Sequence, residues 1–93
     1  MSTKEIILDA AYSLAEKSSV ELITSEEIAV NTKFSKPTLF YHFKSIAELR
    51  DAVIERAIKD ENVAILRFLV ASGHSATKNI NNSLRQKIIK SLF

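Results

Sequence analysis

The fold of this chain is decided by residues 24–45, which read TSEEIAVNTKFSKPTLFYHFKS. Thr24 can cap a helix, and Glu27 three residues later completes a Thr-x-x-Glu capping box, which predicts that a short second helix begins here. Ser35 can cap a third helix with Pro37 in its first turn, where the missing backbone N–H costs little. We therefore expect two short helices joined by a tight turn.

The segments on either side of this stretch also follow helical periodicity. Apolar residues recur at helical spacing in residues 6–15 and predict a first helix that ends near Lys17. Ser45 and Glu48 repeat the capping-box pattern and open a long fourth helix, and a short C-terminal helix follows a break at residues 72–75. With one Gly and one Pro, the chain has little material for hairpin turns. The predicted fold class is all-α.

Two short helices joined by a tight turn, the second bearing small polar and aromatic residues, form the helix-turn-helix pattern. At about 100° per residue, Leu39 and Phe43 lie on one side of the third helix and are predicted to be core. Pro37, Thr38 and Tyr41 lie on the other side. A Thr hydroxyl can hydrogen-bond to base edges or phosphates, and an aromatic ring can contact a thymine methyl. The sequence therefore predicts a three-helix bundle whose third helix enters the major groove of double-stranded DNA.

These residues resemble the DNA-binding domain of TetR-family transcriptional regulators. The resemblance covers about half of the chain and rests on the capped second helix, the Ser-x-Pro-Thr-Leu opening of the third helix and its aromatic-His-Phe close. It implies a sequence-specific transcriptional regulator and not an enzyme. The residues expected at the DNA are Thr24, Ser25, Lys33, Ser35, Lys36, Pro37, Thr38, Tyr41, His42 and Lys44.

The resemblance implies different roles for these positions. Thr24 and Ser25 would lie over the DNA backbone, and Lys44 would lie near phosphate. The residues that would face the groove are Lys36, Pro37, Thr38, Tyr41 and His42. The residue types leave a second interpretation open for Tyr41 and His42, in which both are partly buried spacers.

The sequence departs from the family pattern at three positions. Lys33 occupies the turn position usually taken by Gly, so either the backbone avoids positive φ or the turn tolerates a modest strain. Phe40 replaces the Tyr whose hydroxyl usually meets phosphate, and Ile46 replaces a Lys at the start of the fourth helix. With two phosphate contacts missing, we expect weaker and less salt-dependent DNA binding, or compensation by Lys33 and the basic tail.

An apolar strip at residues 63–70 leads to a second expectation. It reads VAILRFLV and is apolar on nearly all sides, so a surface helix of a 93-residue monomer is not expected to bury it alone. We therefore predict a homodimer that binds a palindromic operator with its recognition helices about 34 Å apart. The predicted dimerisation residues are Ile65, Leu66, Phe68, Leu69, Leu84, Ile88 and Leu92.

The predicted domains are a DNA-binding domain at residues 1–53 and a helical extension for dimerisation or partner binding at residues 54–93. A pocket for a drug-sized effector encloses at least about 300 Å³, and we expect none in so short an extension. The pattern leaves a second function open. The chain could be a protein-interaction module that pairs with another regulator or a host protein through residues 63–93.

Composition excludes several other classes of function. The absence of Cys excludes disulfide frameworks and thiolate metal sites. Neither His has a ligand partner at i+3 or i+4, and no nucleophile–base pattern is present, so we expect no catalytic residue, cofactor or metal. No run approaches the ~20 apolar residues of a membrane span, and we expect a cytoplasmic protein.

The net charge of +2 is distributed unevenly along the chain. Residues 33–50 hold four Lys or Arg against Glu48, and residues 63–93 hold five basic residues and no acidic one. Basic zones complement phosphates, although a charged run is more often a solvated face. Charge alone therefore favours nucleic-acid binding only modestly.

Overall fold

The computed structural model of the chain describes residues 2–72 and 80–91. All regular secondary structure in these two ranges is helical, which confirms the predicted all-α class. The helices are α1 (Thr3–Lys17), α2 (Ser25–Thr32), α3 (Lys36–His42), α4 (Ile46–Lys59), α5 (Val63–Ser72) and α6 (Asn82–Ser91). A 3₁₀ turn that the sequence did not predict, Val20–Leu22, lies between α1 and α2.

The chain divides into two compact units, residues 1–53 and residues 54–93. In the first unit, α1 packs against the 3₁₀ turn, α2 and α3, and α2 packs against α3. Apolar residues at helical spacing supply the core, as the periodicity predicts. The buried apolar residues of this unit are Ile7, Ala11, Tyr12, Ala15, Val20, Ile23, Ile28, Leu39, Phe43, Leu49 and Val53.

Side-chain caps fix where the helices of the first unit begin. The Thr24 Oγ1 atom accepts a hydrogen bond from the backbone N–H of Glu27 at 3.2 Å, and the Thr24 hydroxyl donates to the Glu27 carboxylate, also at 3.2 Å. Ser35 Oγ accepts from the backbone N–H of Thr38 at 3.3 Å. Ser45 makes the same kind of bond at the start of α4. The predicted starts of α2, α3 and α4 are therefore confirmed, because donors that a helix leaves unpaired find side-chain partners there.

The long fourth helix expected from the sequence is divided into α4 and α5. Glu61 adopts a left-handed conformation with φ 53°. Its backbone N–H donates to the carbonyl of Ile58, and that of Asn62 donates to the carbonyl of Ala57, which is the Schellman arrangement that ends a helix. Asn62 Oδ1 then accepts from the backbone N–H of Ile65 at 3.3 Å and caps α5. One short segment thus closes α4 and opens α5.

The second unit has its own apolar core, in which α5 packs against α6. Asn81 caps α6, since its Oδ1 accepts from the backbone N–H of Leu84 at 2.8 Å. Lys87 of α6 pairs with Glu61 at 3.0 Å. The buried apolar residues of this unit are Ile54, Ala57, Ile65, Leu66, Leu69, Ile80, Leu84 and Ile88.

This core changes the premise from which the dimer was predicted. Ile65, Leu66 and Leu69 of the apolar strip are at most 1% exposed in the single chain, so their burial needs no second copy. Leu84 and Ile88 are buried as well, because α6 packs on α5. Phe68 is 41% exposed. Leu92 and residues 73–75 of the predicted break lie outside the described residues.

No helix in residues 2–72 and 80–91 is both long enough and apolar enough to span a membrane.

Candidate nucleic-acid interface

The turn between α2 and α3 depends on the backbone of Lys33. This residue has φ 64° and ψ 13°, and its N–H donates to the carbonyl of Ala29 at 2.8 Å. The Thr32 hydroxyl donates to the Ile28 carbonyl at 2.7 Å and accepts from the backbone N–H of Phe34 at 3.2 Å. The backbone therefore does not avoid positive φ at this position. The turn instead tolerates a left-handed residue that carries a Cβ atom.

Replacing Lys33 with Gly is expected to raise the stability of the fold. It is also expected to weaken DNA binding, because it removes an exposed cation that could contact phosphate. A Cβ-bearing residue in the left-handed region costs about 1–2 kcal/mol, which exceeds the extra chain entropy of Gly, so we expect a net gain of about 0.5–1 kcal/mol. Thermal unfolding and DNA titration measure the two effects. Lys33→Asn is the control, because it removes the same charge and keeps a Cβ atom in a residue type that tolerates this conformation. A loss of stability in Lys33→Gly would contradict the role given to the backbone here.

The third helix has one buried and one exposed side. Leu39 is 3% exposed and Phe43, which follows the helix, is 4% exposed, whereas Tyr41 is 84% exposed. Pro37 is also exposed and Thr38 is half-buried. The predicted orientation of α3 is thus confirmed. The exposure of Tyr41 excludes its alternative role as a partly buried spacer.

His42 lies beside Tyr41 at the end of α3. The two rings meet edge to face, with centroids 5.1 Å apart and an angle of 88° between their planes. The His42 side chain is half-buried, so the spacer interpretation stays open for this residue.

Hydroxyl groups surround the starts of α2 and α3. Ser35 Oγ and Thr38 Oγ1 lie 3.0 Å apart at the start of α3. At the start of α2, Thr24 is exposed and Ser25 is half-buried, with the Ser25 hydroxyl donating to Glu26 Oε2 at 3.3 Å. Lys33, Ser35 and Lys44 are exposed. The two short helices and the turn between them thus supply hydroxyl groups and the ammonium group of Lys33.

An ion pair that the sequence did not predict joins the two short helices. Lys36 Nζ, in the first residue of α3, donates to Glu26 Oε1 in α2 at 2.7 Å. The hydrogen bond from Lys36 lowers the pKa of Glu26 below its ordinary value, and a backbone hydrogen bond and the charge of Lys36 act in the same direction. The two residues are ten positions apart, a separation without a local periodic signal.

Arg50 is a second residue whose role the sequence did not indicate. Its Nη2 atom donates to the carbonyl of Ile23 at 2.7 Å, and the side chain is half-buried. Ile23 directly precedes Thr24, the cap of α2, so this bond ties α4 to the start of the helix-turn-helix. One of the four basic residues counted in the zone 33–50 therefore makes a structural contact within the protein.

The two apolar departures from the family pattern are neighbours in space. Phe40, 40% exposed, and the half-buried Ile46 line one shallow depression in the first unit. Ser25 lies on the same depression. The positions where the family resemblance places two phosphate contacts are thus a continuous, mostly apolar surface beside the start of α2.

Potential metal ligands are not clustered in the part of the chain that the structure describes. Among residues 2–72 and 80–91, no group of three or more His, Cys, Asp or Glu side chains is arranged to bind one.

Comparison with known proteins identifies the family. Residues 7–53 match the family model described as bacterial regulatory proteins, tetR family, whose members are DNA-binding helix-turn-helix regulators of transcription. The comparisons with curated proteins and with solved structures gave no match. The matched segment covers half of the chain and contains α2, the Lys33 turn and α3. The chain therefore belongs to the tetR family of bacterial regulatory proteins.

Proposed function

We propose that this protein is a sequence-specific transcriptional regulator, without enzymatic activity, whose α3 reads the major groove of DNA. The observation that carries the proposal is the exposure of Tyr41, 84%, on a short helix held to the core by Leu39. A large aromatic side chain in this position contributes little to the fold, but it suits contact with a thymine methyl or a phosphate.

The proposed roles follow from where each side chain lies. Thr38 and Tyr41 read base edges, because both lie on the outward side of α3. Pro37 and His42 lie beside them. Capping hydroxyls and cations position the protein on phosphates, which hold the register without reading sequence. This positioning set consists of Thr24, Ser25, Lys33, Ser35 and Lys44, whereas Lys36 is paired with Glu26.

We further propose that the protein binds a palindromic operator as a homodimer. The exposed residues Ala64, Arg67, Phe68 and Ala71 recur at i, i+3, i+4 and i+7 and form one face of α5. We propose this face, with Phe68 at its centre, as the contact between two copies. A two-fold dimer presents its recognition helices to half-sites about 34 Å apart, so the operator shares the symmetry of the protein.

Selection from a random-sequence duplex pool at two salt concentrations tests the proposed function. We expect enrichment of a palindromic sequence, and Thr38→Ala or Tyr41→Ala should weaken its binding by about 1–3 kcal/mol, roughly 5- to 150-fold. Val30→Ala is the matched control, because Val30 is 81% exposed on α2 and is assigned no DNA contact. Weak binding that ignores sequence and is unchanged in both variants would instead favour a protein partner bound through residues 63–93.

A further inference from the structure

The first turn of α2 carries two carboxylates on the surface proposed to face DNA phosphates. Glu27 belongs to the capping box, since its carboxylate accepts from the Thr24 hydroxyl. The Glu26 carboxylate accepts a hydrogen bond from Lys36 Nζ, at the start of α3, at 2.7 Å. The helix dipole favours an acidic residue at this position, but it does not account for a partner on the recognition helix.

The ion pair contributes little to the fold. The side chains of Lys36 and Glu26 are 49% and 64% exposed, so solvent screens their attraction and the pair adds little to the stability of the fold. Its effect on the surface charge is larger, because Lys36 opens α3 and its ammonium group would otherwise be available to a phosphate. Glu26 supplies the anionic oxygen that a phosphate would supply, and it does so within the same molecule.

Other features of the first unit also reduce its contacts with the DNA backbone. Arg50 donates to the Ile23 carbonyl, and the apolar side chains of Phe40 and Ile46 line a depression beside Ser25. Because phosphate contacts supply most of the sequence-independent affinity, each one that is withheld leaves a larger share of the binding free energy to base contacts.

We propose that Glu26 determines the DNA specificity of this protein by occupying Lys36. The ion pair withholds one cationic side chain from the phosphate backbone and so weakens binding to arbitrary sequences more than binding to the operator. The inference rests on the proposed function and adds to it a specificity-determining residue that makes no attractive contact with DNA.

The test compares Glu26→Gln, Lys36→Gln and the double variant on an arbitrary duplex and on the selected operator, over a series of salt concentrations. In Glu26→Gln, we expect binding to the arbitrary duplex to strengthen roughly two- to fivefold at about 0.1 M salt, because a solvent-screened pair holds Lys36 only weakly. The slope of log K against log salt should steepen by about 0.9, the value for one added phosphate contact. The operator should gain less, so the ratio of the two affinities should fall.

Two comparisons separate this role from a general effect of charge. Glu16→Gln changes the net charge equally and lies on an exposed position of α1, so it should leave the slope unchanged. In the Lys36→Gln background, Glu26→Gln should give no gain, because the occupied cation is already absent. Circular dichroism of each variant verifies that the fold is retained.

Each other outcome overturns a defined part of the argument. Equal gains in Glu26→Gln and Glu16→Gln, or a gain that persists without Lys36, would overturn the inference. The proposed function would still stand if the wild type selects an operator and Thr38→Ala loses it. If neither the wild type nor Glu26→Gln bound any DNA, both the inference and the proposed function would be overturned.

Discussion

Replacing Leu39 with Ala is expected to destabilise the folded protein by about 2–5 kcal/mol. Leu39 is 3% exposed and is the buried residue of α3, a helix of only seven residues. A helix this short does not form alone in water, so its stability comes from packing and from its caps. Truncating the side chain that anchors it removes apolar burial and leaves a cavity next to the core of α1 and α2.

Tyr41→Ala on the same helix is the matched comparison for Leu39→Ala. Both variants truncate a large side chain of α3, but Tyr41 is 84% exposed and its loss should change stability by less than about 0.5 kcal/mol. Urea unfolding followed by circular dichroism measures the difference. DNA binding should fall in both variants, by loss of structure in one and by loss of contact in the other. A cost below about 1 kcal/mol for Leu39→Ala would show that α3 is held by something else.

The helix starts could be predicted from the sequence because the physical cause is local. Thr24, Ser35 and Ser45 each cap a helix by accepting from a backbone N–H three residues later, so a window of four residues contains the information. The outward side of α3 was predictable for the same reason, since helical periodicity alone separates Leu39 from Tyr41.

The contacts that modify the candidate interface could not be predicted in this way. Lys36 and Glu26 are ten residues apart, and Arg50 lies 27 residues from Ile23. Both contacts form only once the helices have packed. For Lys36, several other acidic residues in the chain would have suited the same pairing. The sequence therefore indicated a basic zone, whereas the structure shows that two of its cations are engaged within the protein.

The break between α4 and α5 has a different cause. A helix end is usually marked in sequence by Gly, which adopts the left-handed conformation at little cost. Here Glu61 takes that conformation, and Asn62 serves both as the end of one helix and as the cap of the next. Asn62 is of a favoured N-cap type, but a Glu in the left-handed position gives no signal in the sequence that the preceding helix has ended. For this reason the sequence predicts one long helix, in which the apolar residues 63–70 have no partner within the same chain.

The burial of that strip narrows the proposed dimer contact to one face of α5, on which Phe68 is 41% exposed. The Arg67 guanidinium lies 5.2 Å from the centre of the Phe68 ring, so the face combines an aromatic ring with a cation. Aromatic and Arg side chains are the ones that most often dominate binding energy at protein interfaces. Phe68 is therefore the residue whose replacement should affect self-association most strongly.

Phe68→Glu is expected to convert a dimer into a monomer and to weaken operator binding by on the order of 10²–10⁴-fold. A carboxylate at the centre of a two-fold contact faces its own copy, so its desolvation and the like-charge repulsion oppose association. A monomer then loses the advantage of binding two half-sites at once. Analytical ultracentrifugation gives the mass, and titration with the operator gives the affinity.

Leu22→Glu is the control for Phe68→Glu, because Leu22 is 65% exposed in residues 1–53 and the substitution changes charge and apolar surface in the same way. It should leave the mass unchanged. If Phe68→Glu kept the mass of the wild type, α5 would not form the contact. If the wild type itself were monomeric, a palindromic operator would have no symmetric protein to match, and α3 would instead read a single half-site.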